Sequence, residues 1–238
     1  MDIYKINTVT ELIKGNPYVG RGIIAGLSAD GKRAVAAYFI MGRSANSRNR
    51  VFVKKGADLY TEPYDPSRVE DPSLIIYAAV RERDSGLIVT NGDQTDTIFN
   101  GMIEGKTFEE ALEERRFEPD APNFTPRISA DLSFGEKYTY RMSILKSIDA
   151  EGSDCARFSF SYPAKAGLGH FIHTYVTDGA PIPTFQGEPE RVAIGDDINE
   201  FADEIWSALD DDNKISLFVR YIDLESGKTT DRLINKNK

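Results

Sequence analysis

The chain has 238 residues, of which 29 are Lys or Arg and 38 are Asp or Glu, so its formal net charge is −9. A negative field of this size repels polyanions, which excludes a general nucleic-acid binder and a protein that docks on anionic membranes. No apolar stretch of the sequence reaches the roughly 18 residues that cross a bilayer, and the first residues lack the pattern of a secretory signal. We therefore expect a soluble, cytoplasmic protein that folds as a single domain over residues 1–238.

The first half of the chain predicts one short helix and two hairpins. The motif TVTE at 8–11 is a capping box, which starts helices. Residues 18–27 and 34–41 are apolar runs joined by the turn sequence ADGK, and residues 74–83 and 87–90 flank the turn DSG. Each of these pairs predicts two antiparallel strands.

The second half alternates further strands with two helices. The motif TFEE at 107–110 is a second capping box. Apolar residues over 198–209 recur at the spacing of an amphipathic helix, which Asp196 or Asp197 could cap. Strands are predicted at 136–149, 155–162, 170–177, 215–223 and after residue 227. Blocks of antiparallel strands with helices between them predict an α+β fold with layered sheets.

Residues 43–55 reverse the sign of the local charge. The segment RSANSRNRVFVKK carries five cations and no acid in an otherwise acidic chain. Guanidinium groups together with hydroxyls and loose backbone N–H groups suit one phosphate, because Arg offers paired donors to its oxygens. The segment therefore indicates a site for a small anion, and the alternative is a solvated basic loop that offsets acids elsewhere.

Two further polar segments stand next to predicted strands. Residues 90–97, TNGDQTDT, begin where the apolar run LIV ends, so their amides and side chains would cluster at a sheet edge. The Asn-Gly pair is also typical of an ordinary turn. In NFTPRI at 123–128 the proline holds the preceding threonine extended and an arginine follows. The alternative for this segment is a plain strand entry.

Other kinds of site are not indicated. His170 and His173 are the only histidines and have no Cys or carboxylate at ligand spacing, so no metal site is expected. Cys155 is the single cysteine, which excludes an internal disulfide, and its aromatic strand pattern predicts a packed thiol. The sequence has neither a P-loop nor a GxSxG nucleophile motif.

Taken in order, these segments resemble the archaeal-type IMP cyclohydrolase family. The resemblance rests on YVGR at 18–21, GRS at 42–44 with NR at 49–50, IY at 76–77, NG at 91–92 with TDTI at 95–98, and TPRI at 125–128. It runs in register from about residue 17 to residue 132, which makes residues 1–16 an N-terminal extension. Beyond residue 135 only the order of strands and helices is similar.

The resemblance implies a four-layer αββα fold similar to that of the N-terminal-nucleophile (Ntn) hydrolases, with two packed, mainly antiparallel sheets flanked by helices. It also implies a cyclic amidine-forming hydrolase that closes formamido-imidazole-carboxamide ribotide to IMP with loss of water, the last step of purine synthesis. The implied partner is a purine ribonucleotide, and no metal or organic cofactor is needed. True Ntn hydrolases use a Thr, Ser or Cys freed at the chain start, whereas this chain begins Met-Asp. We therefore expect no autoprocessing.

The resemblance further implies roles for individual residues. The catalytic residues would be Tyr77 as proton donor or relay, Glu118 as general acid or base, and Asn91 as donor to the base amides or the oxyanion. The substrate-binding residues, which include the arginines that would hold the 5′-phosphate, would be Arg21, Arg43, Ser44, Asn49, Arg50, Gly92, Asp96 and Arg127.

Each of these roles has a simpler alternative. Asp96 and Arg127 could pair with each other behind the site, Tyr77 could be a core aromatic, and Glu118 could be an exposed loop acid. The whole chain could also bind a purine nucleotide without turning it over, since a fold does not guarantee its chemistry. An amidohydrolase of the Ntn type would need a processed terminal nucleophile, against which the sequence argues. Assembly as a homo-oligomer is also possible.

Overall fold

The computed structural model describes residues 2, 4–69 and 76–237. Thirteen strands run through these residues: β1 Arg21–Leu27, β2 Arg33–Met41, β3 Val51–Lys55, β4 Asp58–Glu62, β5 Tyr77–Arg83, β6 Gly86–Thr90, β7 Arg127–Phe134, β8 Tyr138–Ser147, β9 Cys155–Pro163, β10 Leu168–His173, β11 Glu190–Ala193, β12 Lys214–Asp223 and β13 Thr229–Asn235. The same residues form five α-helices: α1 Val9–Ile13, α2 Ala45–Arg48, α3 Gln94–Ile103, α4 Phe108–Leu112 and α5 Ile198–Ala208.

Within the described residues the strands form two antiparallel sheets. One has six strands in the order β11-β10-β1-β2-β12-β13, and the other has seven in the order β3-β4-β5-β6-β7-β8-β9. The predicted hairpin β1-β2 lies at the centre of the first sheet, with Ile23 opposite Tyr38. The predicted hairpin β5-β6 lies inside the second sheet, with Val80 opposite Val89. The chain therefore starts in one sheet, builds the other, and returns to the first.

The two sheets pack face to face, and helices cover their outer faces. Ile23 and Val89 belong to the apolar cluster that fills the space between the sheets. On the outer face of the six-stranded sheet, α1 and α5 pack with buried Ile205 among their contacts. On the outer face of the seven-stranded sheet, Ile98 of α3 and residues of α4 form a third cluster. This arrangement confirms the predicted α+β fold with two packed, mainly antiparallel sheets flanked by helices, while its likeness to the Ntn hydrolases stays a prediction.

Helices α1, α4 and α5 begin at capping residues that the sequence predicts. The Thr8 hydroxyl accepts from the backbone N of Glu11, whose carboxylate accepts from Thr8 N, and this capping box starts α1. Thr107 and its partner at the third position start α4 in the same way. Asp197, rather than Asp196, caps α5. The longest described helix, α5, has 11 residues, and none of the described helices is long and apolar enough to cross a membrane.

The basic segment 43–55 and the polar segment 90–97 have more regular structure than expected. The first contains the one-turn helix α2 and then strand β3, so only part of it is loop. In the second, α3 begins at Gln94, although its threonines, asparagine and glycine are poor helix formers. Tertiary packing of the buried Ile98 supplies the stability that the local sequence lacks.

The strand predicted at 74–83 begins at Tyr77 in the structure. Its predicted first residues, Leu74 and Ile75, lie outside the described residues. The strand predicted at 170–177 runs instead from Leu168 to His173, because the chain turns away before the segment that pairs Tyr175 with Thr184.

Candidate active site

Several strand ends meet at one end of the space between the sheets. Arg21 is the first residue of β1, beside the end of β2. In the other sheet, Tyr77 begins β5, β6 ends at Thr90, and Arg127 begins β7. Because neighbouring strands are antiparallel, the start of one lies beside the end of the next. A hydrogen bond between Tyr38 and Tyr77 joins the two sheets at this end.

Tyr38 and Tyr77 face each other from opposite sheets. Their hydroxyl oxygens are 2.8 Å apart, and both side chains are buried. The backbone of Tyr77 is fixed by the Thr61 hydroxyl, which bonds both its N and its O at 3.2 Å. Burial, and then the neighbouring Tyr77, raises the pKa of Tyr38 well above its ordinary value. Tyr38 therefore stays protonated and keeps a hydroxyl in contact with Tyr77.

Two arginines bring positive charge into this region. Arg50 is 1% exposed, and its Nε donates to the backbone oxygen of Ser47 at 2.8 Å. Burial and the repulsion from Arg21 lower the pKa of Arg50. Arg21 is partly exposed as a residue, but its Nε is buried and has no hydrogen-bond partner. No described residue accepts a hydrogen bond from the Arg21 guanidinium, so its donors are available to a bound group.

Glu118 is the acid that faces these cations. Its side chain is buried, which rules out an exposed loop acid, and its backbone N donates to the oxygen of Thr125 at 2.9 Å. Burial raises the pKa of the Glu118 carboxyl and outweighs Arg21 and Arg127, both of which lower it. A raised pKa brings a carboxyl closer to the pH range in which it can both take and give a proton. A buried acid shifted in this way next to unpaired donors is typical of a functional site.

Tyr18 and Tyr175 form an aromatic wall beside Arg21. Their rings stack with centroids 5.7 Å apart. The Tyr175 hydroxyl is 2.5 Å from Oγ1 of Thr125, and both the N and the hydroxyl of Thr125 donate to the carboxylate of Asp120. Burial raises the pKa of Tyr175 to about 12, although Arg21 acts in the opposite direction. Tyr175 therefore stays uncharged, and Asp120 holds it in place through Thr125.

Arg43 lies on the outer side of the aromatic wall. Its Cζ is 5.2 Å from the centroid of the Tyr18 ring. Its Nη1 forms an ion pair with Asp178 and donates to the oxygen of Gly179 at 3.0 Å. Ser44 follows it and caps α2 with its hydroxyl, and both Arg43 and Ser44 are exposed. Through Tyr18, the structure thus places Arg43 at the edge of the same cluster that contains Arg21.

Other side chains of the basic segment hold the chain itself. Asn49 donates from Nδ2 to the oxygen of Asp65 at 2.8 Å and accepts from its N at 2.7 Å. Arg48 donates from Nε to the oxygen of Gly42 at 3.0 Å and from Nη2 to Asn213 at 2.8 Å. The Asn49 amide already bonds two backbone groups, which gives the side chain a structural role here. Contact between Asn49 and the substrate stays a prediction.

Asn91 ties the end of β6 to the start of β7. Its Nδ2 donates to the oxygen of Pro126 at 2.9 Å. Its Oδ1 accepts from the backbone N of Ile128 and from Nε2 of Gln94, each at 2.9 Å. Contact between Asn91 and the substrate stays a prediction, and the bonds that it makes here give it a structural role.

Arg127 packs over the same corner. It donates from Nη1 to Oε1 of Gln94 at 2.7 Å and pairs with Asp93 at 2.7 Å. A Cβ on Gly92 would lie 2.5 Å from that Nη1, so a side chain there would displace the arginine. Asp96 instead points outward, with its side chain 57% exposed, and pairs with Arg81 at 2.8 Å. The alternative pairing of Asp96 with Arg127 is thus absent from the described contacts, and Asp96 has no described contact with the cluster of Arg21 and Glu118.

We expect Asn91→Ala to lower the free energy of unfolding by about 1–3 kcal/mol, because it leaves buried backbone groups of β7 without partners. Urea denaturation measures this. The matched control is Asn100→Ala on the exposed side of α3, which should stay within about 0.5 kcal/mol of the unchanged chain. Equal denaturation midpoints for Asn91→Ala and the unchanged chain would contradict the structural role.

Four residues of the cluster were not predicted as site residues: Tyr18, Tyr38, Asp120 and Tyr175. The first two lie in apolar runs, where a tyrosine is easily interpreted as core. A tyrosine hydroxyl in a buried strand needs a polar partner, and its recurrence in three such runs of this sequence, at Tyr18, Tyr38 and Tyr77, is a signal that could have found them.

The polar groups of this cluster are guanidinium, phenol and carboxyl groups. Across residues 2, 4–69 and 76–237, no group of three or more His, Cys, Asp or Glu is placed to hold a metal ion. Fold and site together define a layered α+β protein with a cationic, tyrosine-lined cluster between its sheets. A family model described as IMP cyclohydrolase-like protein matches residues 18–228, and the chain belongs to that family.

Two curated relatives are similar to part of the chain. The IMP cyclohydrolase of Methanopyrus kandleri is 39% identical over 116 residues, which is 47% of this chain and 57% of that protein. The IMP cyclohydrolase of Methanothrix thermoacetophila is 34% identical over 88 residues, 37% of this chain and 42% of that protein. The matched region thus spans about half the length of these relatives.

Proposed function

We propose that this protein is an IMP cyclohydrolase that closes 5-formamidoimidazole-4-carboxamide ribotide to IMP and water. The observation that carries the proposal is the buried Glu118 beside the unpaired guanidinium of Arg21 and the hydroxyl pair of Tyr38 and Tyr77. The family of the chain and the names of its relatives support the same reaction.

The reaction needs positioning and proton transfer. The carboxamide nitrogen forms a bond to the formamide carbon and loses one of its two protons. The formamide nitrogen loses its own proton as the C=N double bond forms, and the former formyl oxygen leaves as water. Both reacting groups belong to one molecule, and holding them together can supply a large part of the rate, since effective molarities of well-oriented groups reach roughly 10⁵ M or more. An enzyme for this step must therefore fix a ribotide, stabilise an oxyanion and move protons.

The cluster offers a group for each task. Arg21 has unpaired donors for the oxyanion, and one such donor is worth on the order of 3 kcal/mol. Glu118, with its raised pKa, would exchange a proton with the reacting amides, and Tyr77 would relay one through its hydroxyl. Arg43 and Ser44, at the exposed edge, would meet the 5′-phosphate, because a hydrated dianion costs least to bind where it is not fully buried.

Four residues would support the site without touching the reacting groups: Arg50, Arg127, Asn49 and Gly92. Arg50 adds a second positive charge next to Arg21. Arg127 lowers the pKa of Glu118, and Gly92 leaves room for Arg127 over the corner. In this assignment these residues set the electrostatic potential and the shape of the site, and Asp96 takes no part in it.

Tyr77→Phe is expected to lower kcat by about 10²-fold, because it removes one positioned proton donor, while the affinity for IMP is retained. Stopped turnover assays and calorimetric titration with IMP measure the two quantities. Tyr60→Phe on β4, where the ring lies beneath Lys55, is the control that removes a surface hydroxyl. If Tyr77→Phe turns over as fast as the unchanged chain, the tyrosine is a packing residue.

The test of the function is to measure cyclisation of the synthetic ribotide and binding of IMP on the same preparation. The proposal predicts IMP binding together with formation of IMP far above the rate without protein. Tight binding of IMP without turnover would instead select a nucleotide-binding protein of the same fold. Absence of both would contradict any purine-ribotide site.

A further inference from the structure

The described sheets have four edge strands, and side chains of one of them contact the backbone of another. β3 ends the seven-stranded sheet and β13 ends the six-stranded sheet. Asn235 of β13 accepts from the backbone N of Phe52 at 2.9 Å and donates to its O at 3.0 Å. Lys54 of β3 adds an ion pair with Asp231 of β13 at 2.5 Å. The backbone of β3 is therefore bonded on its outer side at Phe52, whereas β13 contributes only side chains to this contact.

The third edge, β11, is four residues long and is also covered. Asn7 forms a parallel bridge with Val192. Its N donates to the oxygen of Arg191 at 3.1 Å, and its O accepts from the N of Ala193 at 2.8 Å. A short edge strand with a segment laid along it is a usual way to prevent unwanted pairing.

The fourth edge, β9, is open. It has nine residues and pairs with β8 on one side only. From Arg157 to Pro163, no backbone group bonds any described residue outside β8. Charged residues and prolines within a strand keep an exposed edge from pairing with other chains. In β9, Arg157 is the one charged residue, and the proline stands at the end of the strand. A long open edge of this kind is a template for another strand.

The sequence of β9 is complementary to itself when two copies run antiparallel about Ser159. In that register Phe158 of each copy lies opposite Phe160 of the other, and Arg157 lies opposite Ser161. Paired aromatic side chains across strands stabilise a sheet, and like charges directly opposite each other would destabilise it. The register provides two aromatic pairs and sets no like charges opposite each other. Such self-pairing is what a twofold dimer interface requires.

A pocket beside β9 fits the same register. It has a volume of about 290 Å³ and is lined by Ile144, Lys146, Phe158, Phe160, Phe185, Gln186 and Gly187. Phe158 itself is 46% exposed. In the antiparallel register, Phe158 of the second copy comes opposite Phe160, at the mouth of this pocket. Strand addition gains specificity in this way, by placing side chains in pockets next to the paired edge.

We propose that β9 is the dimer interface of this protein, where a second copy of the chain pairs antiparallel about Ser159. The two seven-stranded sheets then continue across the twofold axis as one sheet. The interface is separate from the cluster around Glu118, so the proposal does not depend on the proposed function. Because each copy carries a net charge of −9, added salt should strengthen the dimer by screening long-range repulsion.

The test uses charges at Ser159, whose side chain is exposed and meets its own copy across the axis. Ser159→Glu and Ser159→Arg should each be monomeric in sedimentation equilibrium, whereas the unchanged chain is a dimer. An equimolar mixture of the two variants should restore a dimer, because Glu then faces Arg. Thr230→Glu and Thr230→Arg, exposed on the edge strand β13 of the other sheet, are the matched controls and should stay dimeric.

Three outcomes would overturn the proposal. One is a monomeric unchanged chain at about 100 μM protein, well above the Kd expected of a standard interface. Another is a dimer that persists in both Ser159 variants, which would place the interface elsewhere. The third is a mixture of Ser159→Glu and Ser159→Arg that stays monomeric although each variant is folded by circular dichroism.

Discussion

Glu118→Gln is expected to lower kcat by about 10²–10⁴-fold, the range that a positioned acid or base contributes, while IMP still binds. The side chain is buried beside Arg21 and Arg127, and under the proposed function it exchanges a proton with the reacting amides. Gln keeps the size of the side chain and loses only the titratable proton. Turnover of the ribotide, measured with calorimetric binding of IMP, separates this loss of chemistry from a loss of affinity.

The same change should raise stability at neutral pH. Burial raises the pKa of Glu118 in the folded chain above its value in the unfolded chain. The folded state then holds more protons between these two pKa values, so wild-type stability falls as pH rises through that range. Glu118→Gln removes this loss, and its advantage in Tm should appear above the pKa of an unfolded glutamate and be absent below it.

The control for Glu118→Gln is Glu113→Gln, an exposed acid five positions earlier. It should change neither turnover nor the dependence of Tm on pH. Full activity of Glu118→Gln would exclude the carboxyl from proton transfer. A Tm advantage that grows toward acid pH would contradict the raised pKa.

Arg21→Met is expected to weaken IMP binding by roughly 10²-fold, the equivalent of about one to two hydrogen bonds from a charged donor. The guanidinium has no hydrogen-bond partner among the described residues, so its removal leaves no protein group orphaned. Arg21 is, however, the cation that most lowers the pKa of the buried Glu118 carboxyl, and its removal leaves that carboxyl less compensated. We therefore expect lost affinity for IMP and a further rise in the pKa of Glu118, with a loss of stability that appears above the pKa of an unfolded glutamate and is absent below it.

Arg220 provides the matched contrast, because it is a buried arginine whose bonds are all made within the protein. It donates from Nε and Nη2 to Asp231 at 2.8 and 2.9 Å and from Nη1 to the oxygen of Ala57 at 2.9 Å. Arg220→Lys should lower the unfolding free energy by about 1–3 kcal/mol and leave IMP affinity unchanged. If Arg21→Met behaved like Arg220→Lys, with stability lost and affinity kept, Arg21 would be structural.

Short sequence patterns predicted those helices and hairpins that are specified by residues close together in the chain. The capping boxes at Thr8 and Thr107 and the apolar spacing of α5 placed those helices, and turn sequences placed the hairpins β1-β2 and β5-β6. Helix α3 was not predicted, because its stability comes from Ile98 against the sheet rather than from its own residues. Strands β3 and β4 were not predicted either, since their charged positions hide the alternation.

The candidate site was predicted only in part, because some of its contacts join residues far apart in the chain. Arg21, Tyr77 and Glu118 were identified through the family resemblance, and the structure brings their side chains into one cluster. Their partners Tyr38 and Tyr175 form hydrogen bonds across 39 and 50 residues of chain, and no local pattern specifies such pairs. Spacing also could not assign Arg127 to Asp93 rather than to Asp96, because both acids stand within one helical turn.

The most direct test of the account is the crystal structure of this protein with IMP bound. The account predicts density for the purine between the two sheets, with its ring beside Glu118, Tyr77 and the Arg21 guanidinium, and the phosphate toward Arg43 and Ser44. Density for IMP at another surface, with the Arg21 guanidinium still without a partner, would contradict it.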